Sequence, residues 1–168
     1  MKELNPIDHK LLWELIKDSR RSDRQLAKDI GISQPTVTRR RTKLEQDYIE
    51  GYTATPKWDK IGFEIIVFTF VKSRIKYGKN EEKQRALQKT KELYAKHPCV
   101  IYALSGQGMG WDGVCISFHK SYSDFMTFIR SHDMELSDLI TESQSFIADL
   151  NPGIVMKPFH FKYLANCK

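Results

Sequence analysis

The stretch SDRQLAKDIGISQPTVTRRRTKL, residues 22–44, holds two helix starts, one helix stop and a run of cationic side chains. Ser22 or Asp23 can cap a short helix with Leu26, Ala27 and Ile30 on its apolar face, and Gly31 supplies a left-handed exit. Ser33 then caps the next helix, with Pro35 in the first turn, where a missing N–H costs nothing. Val37 and Leu44 lie two turns apart on one side of it. Upstream, Leu4, Ile7, Leu11, Leu12, Leu15 and Ile16 recur at three- and four-residue spacing around Asn5-Pro6, which predicts an amphipathic helix over 4–18. Three helices with a glycine turn between the second and third make a helix-turn-helix.

Downstream, Tyr48 to Ala54 alternates and turns like a short β-ribbon, the wing of a winged helix-turn-helix, so a first domain is expected over 1–55. Residues 56–62 read as a polar linker to a second domain over 63–168. There, Phe63 to Val71 is β-branched and aromatic and predicts a buried strand, followed by a basic break at Lys76 to Lys79. Glu81 to His97 reads as a helix ended by Pro98. Val100 to Leu104 and Val114 to Phe118 read as short strands around a glycine-rich connection. Ser121 and Asp124 resemble a capping box opening a helix with Phe125, Phe128 and Ile129. Residues 135–150 fit both periods: Leu136, Leu139, Ile140, Ser143, Phe146, Ile147 and Leu150 keep helical spacing, while Ile140, Glu142, Gln144, Phe146, Ala148 and Leu150 alternate. A strand over 141–150 is expected, because it completes a βαββαβ unit. The tail from Ile154 to Leu164 reads as one more extended segment along a sheet edge. The fold class is α+β: an N-terminal winged helix-turn-helix followed by a ferredoxin-like βαββαβ sandwich.

The chain of 168 residues is 40% hydrophobic, enough for one or two cores without staples. Its longest apolar run, Ile65 to Val71, is far short of the ~20 residues of a membrane span, and the first residues hold no apolar signal segment. A soluble cytoplasmic protein with no membrane partner is expected. Cys99, Cys115 and Cys167 form no CxxC pair, and the five histidines are scattered, so neither a metal nor another cofactor is expected. The net charge of +6 is unevenly placed: +2 over 1–55, +6 over 56–98 and −2 over 99–168. Within the nearly neutral first segment, Ser33 to Leu44 carries Arg39, Arg40, Arg41 and Lys43 with no acid. That is a local anion-binding surface.

A recognition helix must present side chains that reach base edges and phosphates together. With Val37 and Leu44 turned inward, Gln34, Thr36, Arg39 and Lys43 project outward and Arg40 sits at the flank. Ser33 and Gln34 stand at the helix start, where amides meet a phosphate. Gln and Arg suit adenine and guanine edges, whereas Lys43 and Thr38 suit phosphates. The bland alternative is a solvated basic helix face, weakened by the adjoining glycine turn and wing.

Leu4-Asn-Pro-Ile-Asp8, Leu11-Leu12, Arg20-Arg21-Ser22, Gln25-Leu26-Ala27, Gly31-Ile32-Ser33, Thr36-Val37, Arg40, Leu44-Glu45 and Gly51-Tyr52-Thr53-Ala54 together resemble the feast/famine (Lrp/AsnC) regulators. The resemblance is close over 4–54, while the β-α-β-β-α order of 63–133 is similar to the family's amino-acid-sensing domain in pattern. Two positions depart from it. Position 41, normally aliphatic, is Arg41, and the turn after Leu44-Glu45 lacks its usual glycine. The resemblance implies a regulator that binds double-stranded DNA and responds to a small-molecule effector, an amino acid.

Gly108, Gly110 and Gly113 satisfy the letter of GxGxxG, but a dinucleotide site needs a helix next, and Val114 to Phe118 reads as a strand. A plain β-hairpin remains one reading. The resemblance implies another: Gly106, Gly108, Gly110 and Asp112 match the loop where these regulators hold the effector between dimers. Backbone amides and one carboxylate suit a zwitterion. Trp111 departs from the usual loop. The apolar strand Ile65 to Val71 implies a homodimer or higher homo-oligomer.

The competing class is an enzyme, since the architecture also resembles the tetrapyrrole (sirohaem) decarboxylases. An acid-free run of Thr36, Arg39, Arg40 and Lys43 has no use there, and no nucleophile motif or HExxH occurs, so a non-enzymatic regulator is expected. An architectural DNA binder with no ligand is a third reading.

Overall fold

A computed structural model describes residues 4–75 and 80–166. The basic break at Lys76 to Lys79 and Cys167 lie outside the described residues. The chain divides into two units, Met1–Thr55 with Lys157–Lys168 and Pro56–Met156.

The first unit holds α1 (Pro6–Lys17), α2 (Asp23–Ile30) and α3 (Gln34–Asp47). Each start is chemically marked. Asn5 Oδ1 accepts from the Asp8 amide, and Ser22 and Gln25 form a reciprocal capping box. Gly31 ends α2 at φ 83°, a conformation any β-carbon would strain. Ser33 occupies the N-cap of α3, but its hydroxyl bonds Thr36 Oγ1 at 2.8 Å instead of a backbone amide. Leu11, Leu15, Leu26, Ala27, Val37 and Leu44 form the buried core, sealed by Leu12, Ile30, Ile32 and Ile49 among others. Full burial of each leucine contributes about 1.5–3 kcal/mol.

Two expectations for this unit change. Residues 49–57 carry no strand, so the Tyr48–Ala54 ribbon is not paired here. A lone arm has no ladder partner, and the segment is held by side chains, with the Tyr52 hydroxyl donating to Glu45 at 2.9 Å. The tail is not a sheet edge either. Phe161–Asn166 forms a 3-10 turn that packs against α1. In that turn Tyr163 and Ala165 are partly buried, while Phe161 and Leu164 stay exposed.

The second unit runs β1 (Ile65–Ser73), α4 (Asn80–Lys96), β2 (Val100–Gly108), β3 (Trp111–His119), α5 (Tyr122–Glu135) and β4 (Ile140–Asp149). The strands form one antiparallel sheet in the order β2-β3-β1-β4, the ferredoxin-like arrangement. The ambiguous segment is thus a strand, and α5 stops at Glu135. The expected linker belongs to this unit: Trp58–Ile61 is a 3-10 turn, and the Trp58 ring lies against Phe118, tilted by 35°, with ring centres 4.2 Å apart.

Register assigns the two faces. Val67, Thr69, Ser117 and Cys115 point toward the helices, where Val67 packs with Phe125 and Phe128. The other face carries Ile66, Phe68, Phe70, Val114 and Ile116, with Phe146 on β4. Phe146 is 63% exposed and Tyr102 is 56% exposed on that side.

Candidate nucleic-acid interface and effector loop

Helix α3 turns only part of its charge outward. Pro35, Arg39, Thr42 and Gln46 follow at three- and four-residue spacing on the side opposite Val37 and Leu44, and all four are exposed. Lys43 and Thr38 flank that face. Gln34 and Ser33 are exposed at the helix start, while Thr36 is half-buried. Among the described residues, Arg39 and Lys43 make no ion pair.

The other two arginines are committed to the fold. Arg40 Nη1 donates to Asp8 Oδ1 at 2.7 Å, linking α3 to α1. Arg41 donates to Asp23 at 3.1 Å and to Glu45 at 2.9 Å, reaches the carbonyls of Ser19 and Arg21, and stacks over Tyr52. Asp23 also accepts from Thr38 Oγ1 at 2.6 Å, so one carboxylate ties α2 to α3 twice. The cation at position 41 therefore binds carboxylates on both α2 and α3. On α1, Glu14 accepts from Lys17 and Arg21, which hold its carboxyl below the usual range against the opposing effect of burial.

Four further residues of this surface lie outside the expected set. Thr42 and Gln46 share the Arg39 face, a relation recoverable from the spacing 35, 39, 42, 46. Arg24 and Lys28 on α2 are exposed as well and extend the cationic field beyond α3.

In the second unit, the glycine-rich segment is a tight hairpin. Strands β2 and β3 run to Gly108 and from Trp111, leaving Met109 and Gly110 as a two-residue turn with φ of 51° and 82°. Positive φ at both positions matches the twist of a type I′ turn. Gly106 and Gly108 belong to the edge strand β2, next to a register shift between Ser105 and Gly108. Asp112 lies across on β3, and its Oδ2 accepts from the Ser73 amide at 2.8 Å, bracing the bulge at the end of β1. Gly113 is closely enclosed, since a β-carbon there would sit 3.1 Å from Val71 Cγ2 and 3.2 Å from the Leu104 carbonyl.

Gly106 and Asp112 line a cavity of about 1210 Å³ between α4 and the sheet, whereas Gly108 and Gly110 are not among its walls. The histidines of this unit are occupied elsewhere. His119 bonds Ser117 at 2.8 Å, and His132 lies against the Tyr94 hydroxyl and Asp133. No helix among the described residues is long and apolar enough to cross a membrane.

Residues 4–45 match the AsnC-type helix-turn-helix domain. An uncharacterized HTH-type transcriptional regulator of Pyrococcus furiosus is 30% identical over 130 residues, covering 77% of this chain and 81% of that protein. The fold is shared with an AsnC family transcriptional regulator from Agrobacterium tumefaciens at a TM-score of 0.73 and 20% identity, over 94% of both chains. A Neisseria meningitidis transcriptional regulator solved in complex with L-Met aligns with a TM-score of 0.72 and 22% identity, over 87% of this chain and 90% of that one. The chain belongs to the Lrp/AsnC family of DNA-binding transcriptional regulators.

Proposed function

We propose that this regulator reads its operator with the outward face of α3, using Gln34, Arg39 and Thr42 toward base edges and Ser33, Thr38 and Lys43 toward phosphates. Thr36 supports the helix start beside Ser33, and Arg40 positions α3 through Asp8. The observation that carries this reading is the sorting of the cations: Arg39 and Lys43 stay exposed without an ion pair among the described residues, while Arg40 and Arg41 are anchored by carboxylates. Two such helices in a homodimer would meet half-sites about one helical turn apart. The open apolar face of the sheet around Phe68 and Phe146 is the surface available for that pairing.

The L-Met complex of a structural neighbour supports an amino-acid effector, and we assign it to the hairpin of Gly106, Gly108, Gly110 and Asp112. Asp112 would hold the ammonium group with the oxygen not used by Ser73. Selection of bound duplexes from a random pool, followed by mobility-shift titration of Arg39→Ala on the selected site, tests the DNA face. A melting-temperature screen of free amino acids on the parent and Asp112→Ala tests the effector, since linkage stabilises only a protein that binds. Unchanged operator affinity in Arg39→Ala would remove the assignment of that face.

A further inference from the structure

Helix α4 stands partly clear of the sheet it crosses. Of its described side chains only Leu93 is fully buried, and Leu87, less than two turns earlier, is 48% exposed although it borders the cavity. The C-terminal half of α4 is fastened by Leu93, by the Tyr94 ring stacked on His132, and by Lys89, which donates to both oxygens of Asp138. Val71, Leu136 and Leu139 add apolar side chains to the wall of the same cavity. A cavity of about 1210 Å³ is larger than the roughly 300–1,000 Å³ of most small-molecule sites, so it has room for more than an amino-acid side chain.

The charges at its walls are unequal. Lys83 and Lys91 stand on the same edge of α4, about 12 Å apart along the axis with Leu87 midway, and neither has an ion-pair partner among the described residues. Asp112 is the one carboxylate among the described residues of the wall, and its Oδ2 is engaged by the Ser73 amide. An apolar cleft with two free ammonium groups and one braced carboxylate favours an anion over a cation or a neutral molecule.

We propose that this cleft, within a single subunit, binds an amphipathic organic carboxylate whose apolar body enters between α4 and the sheet and whose carboxylate meets Lys83 or Lys91. This goes beyond an amino-acid effector at the hairpin, because it needs no ammonium contact to Asp112. Bound ligand covers Leu87 and braces the loose half of α4.

Calorimetric titration of the full-length protein with 4-phenylbutyrate and decanoate tests it, with 4-phenylbutanamide and 4-phenylbutylamine as neutral and cationic counterparts. Both carboxylates are expected to bind, and the amide to bind about tenfold more weakly, the amine more weakly still. The exposed pair Lys83→Gln with Lys91→Gln should lower carboxylate affinity by about tenfold, and the matching arginine pair should restore it. Leu87→Glu should abolish binding. Equal affinity for amide and carboxylate, full affinity in the double glutamine variant, or no binding of either carboxylate at millimolar concentration overturns the proposal. A melting shift with a free amino acid that disappears in Asp112→Ala reports on the hairpin effector separately.

Discussion

Arg40 and Asp8 form an ion pair across the helical core, Nη1 to Oδ1 at 2.7 Å, with the Asp8 side chain 9% exposed and that of Arg40 24% exposed. The middle of the arginine run is thereby part of the fold, whereas its neighbour Arg39 is exposed and makes no ion pair among the described residues. Arg40 Nε is buried without a hydrogen-bond partner, so the guanidinium stays in place through Asp8 and packing alone.

The two arginines should therefore separate in mutagenesis. Arg40→Ala leaves Asp8 buried without its cation and should destabilise the protein by about 2 kcal/mol. Arg39→Ala should leave the denaturation midpoint unchanged and weaken operator binding by about 1–3 kcal/mol. Urea denaturation and mobility-shift titration at fixed salt read the two effects, and a reversed pattern would refute the sorting of the two side chains.

Much of the helical unit is legible in its amino-acid sequence. The stripe of Leu11 and Leu15, the capping residues Asn5 and Ser22, and Gly31 are local signals, and local signals persist because each acts within one helical turn. The rotation of the arginines is not legible there. Their partners Asp8 and Asp23 lie 32 and 18 residues earlier, and periodicity carries no information on which distant carboxylate draws a guanidinium inward. Ile140–Asp149 is ambiguous locally and is settled by topology, since β1 already has β3 on one side and needs a strand on the other. Trp58 reads as part of a polar connector because the ring it covers, Phe118, is distant in sequence.

Gly113 should accept a side chain only at a cost. A methyl group added there meets Val71 Cγ2 at 3.1 Å and the Leu104 carbonyl at 3.2 Å, one of them rigid backbone. Gly113→Ala is expected to cost about 1–3 kcal/mol, whereas Gly108→Ala, which meets nothing within 4 Å, should cost less than about 1 kcal/mol. Equal thermal denaturation of the two variants would contradict the packing of β3 between β1 and β2.

His119 should make stability fall in mild acid. Burial depresses its folded-state pKa below 6.5, and Asp124, 3.5 Å away, opposes that shift only in part. Its neighbours Phe125 and Phe128 are apolar, and Ser117 bonds the other ring nitrogen. The unfolded chain then binds the proton more readily than the folded one. The stability contributed by neutral His119 is present above about pH 6.5 and is lost as pH falls through and below that value toward the folded-state pKa. Melting temperatures from pH 7.5 to pH 5 should decline less steeply in His119→Gln than in the parent. Parallel slopes would exclude this histidine as the source.

The face of the sheet opposite the helices should hold two chains together. Phe68 and Phe146 lie side by side there, ring centres 6.4 Å apart, and Phe146 remains 63% exposed in the single chain. Tyr102 and Leu104 extend the apolar surface along β2 at 56% and 43% exposure. Isolated exposed apolar side chains need no explanation, but a contiguous set on a flat sheet matches the buried centre of an obligate interface. Phe146→Glu places a charge at that centre. Because the side chain is exposed within one subunit, the change should alter the intrinsic stability of the fold by less than about 0.5 kcal/mol. In a dimer the charge would be desolvated without a partner. Sedimentation velocity of the full-length protein at micromolar concentration should show a dimer or larger assembly for the parent and a monomer for Phe146→Glu, with unchanged far-ultraviolet circular dichroism. Operator affinity should fall with the monomer, since each half-site would then be bound independently. A variant that keeps the parental mass would move the subunit contact to another surface and leave Phe68 and Phe146 without an assigned partner.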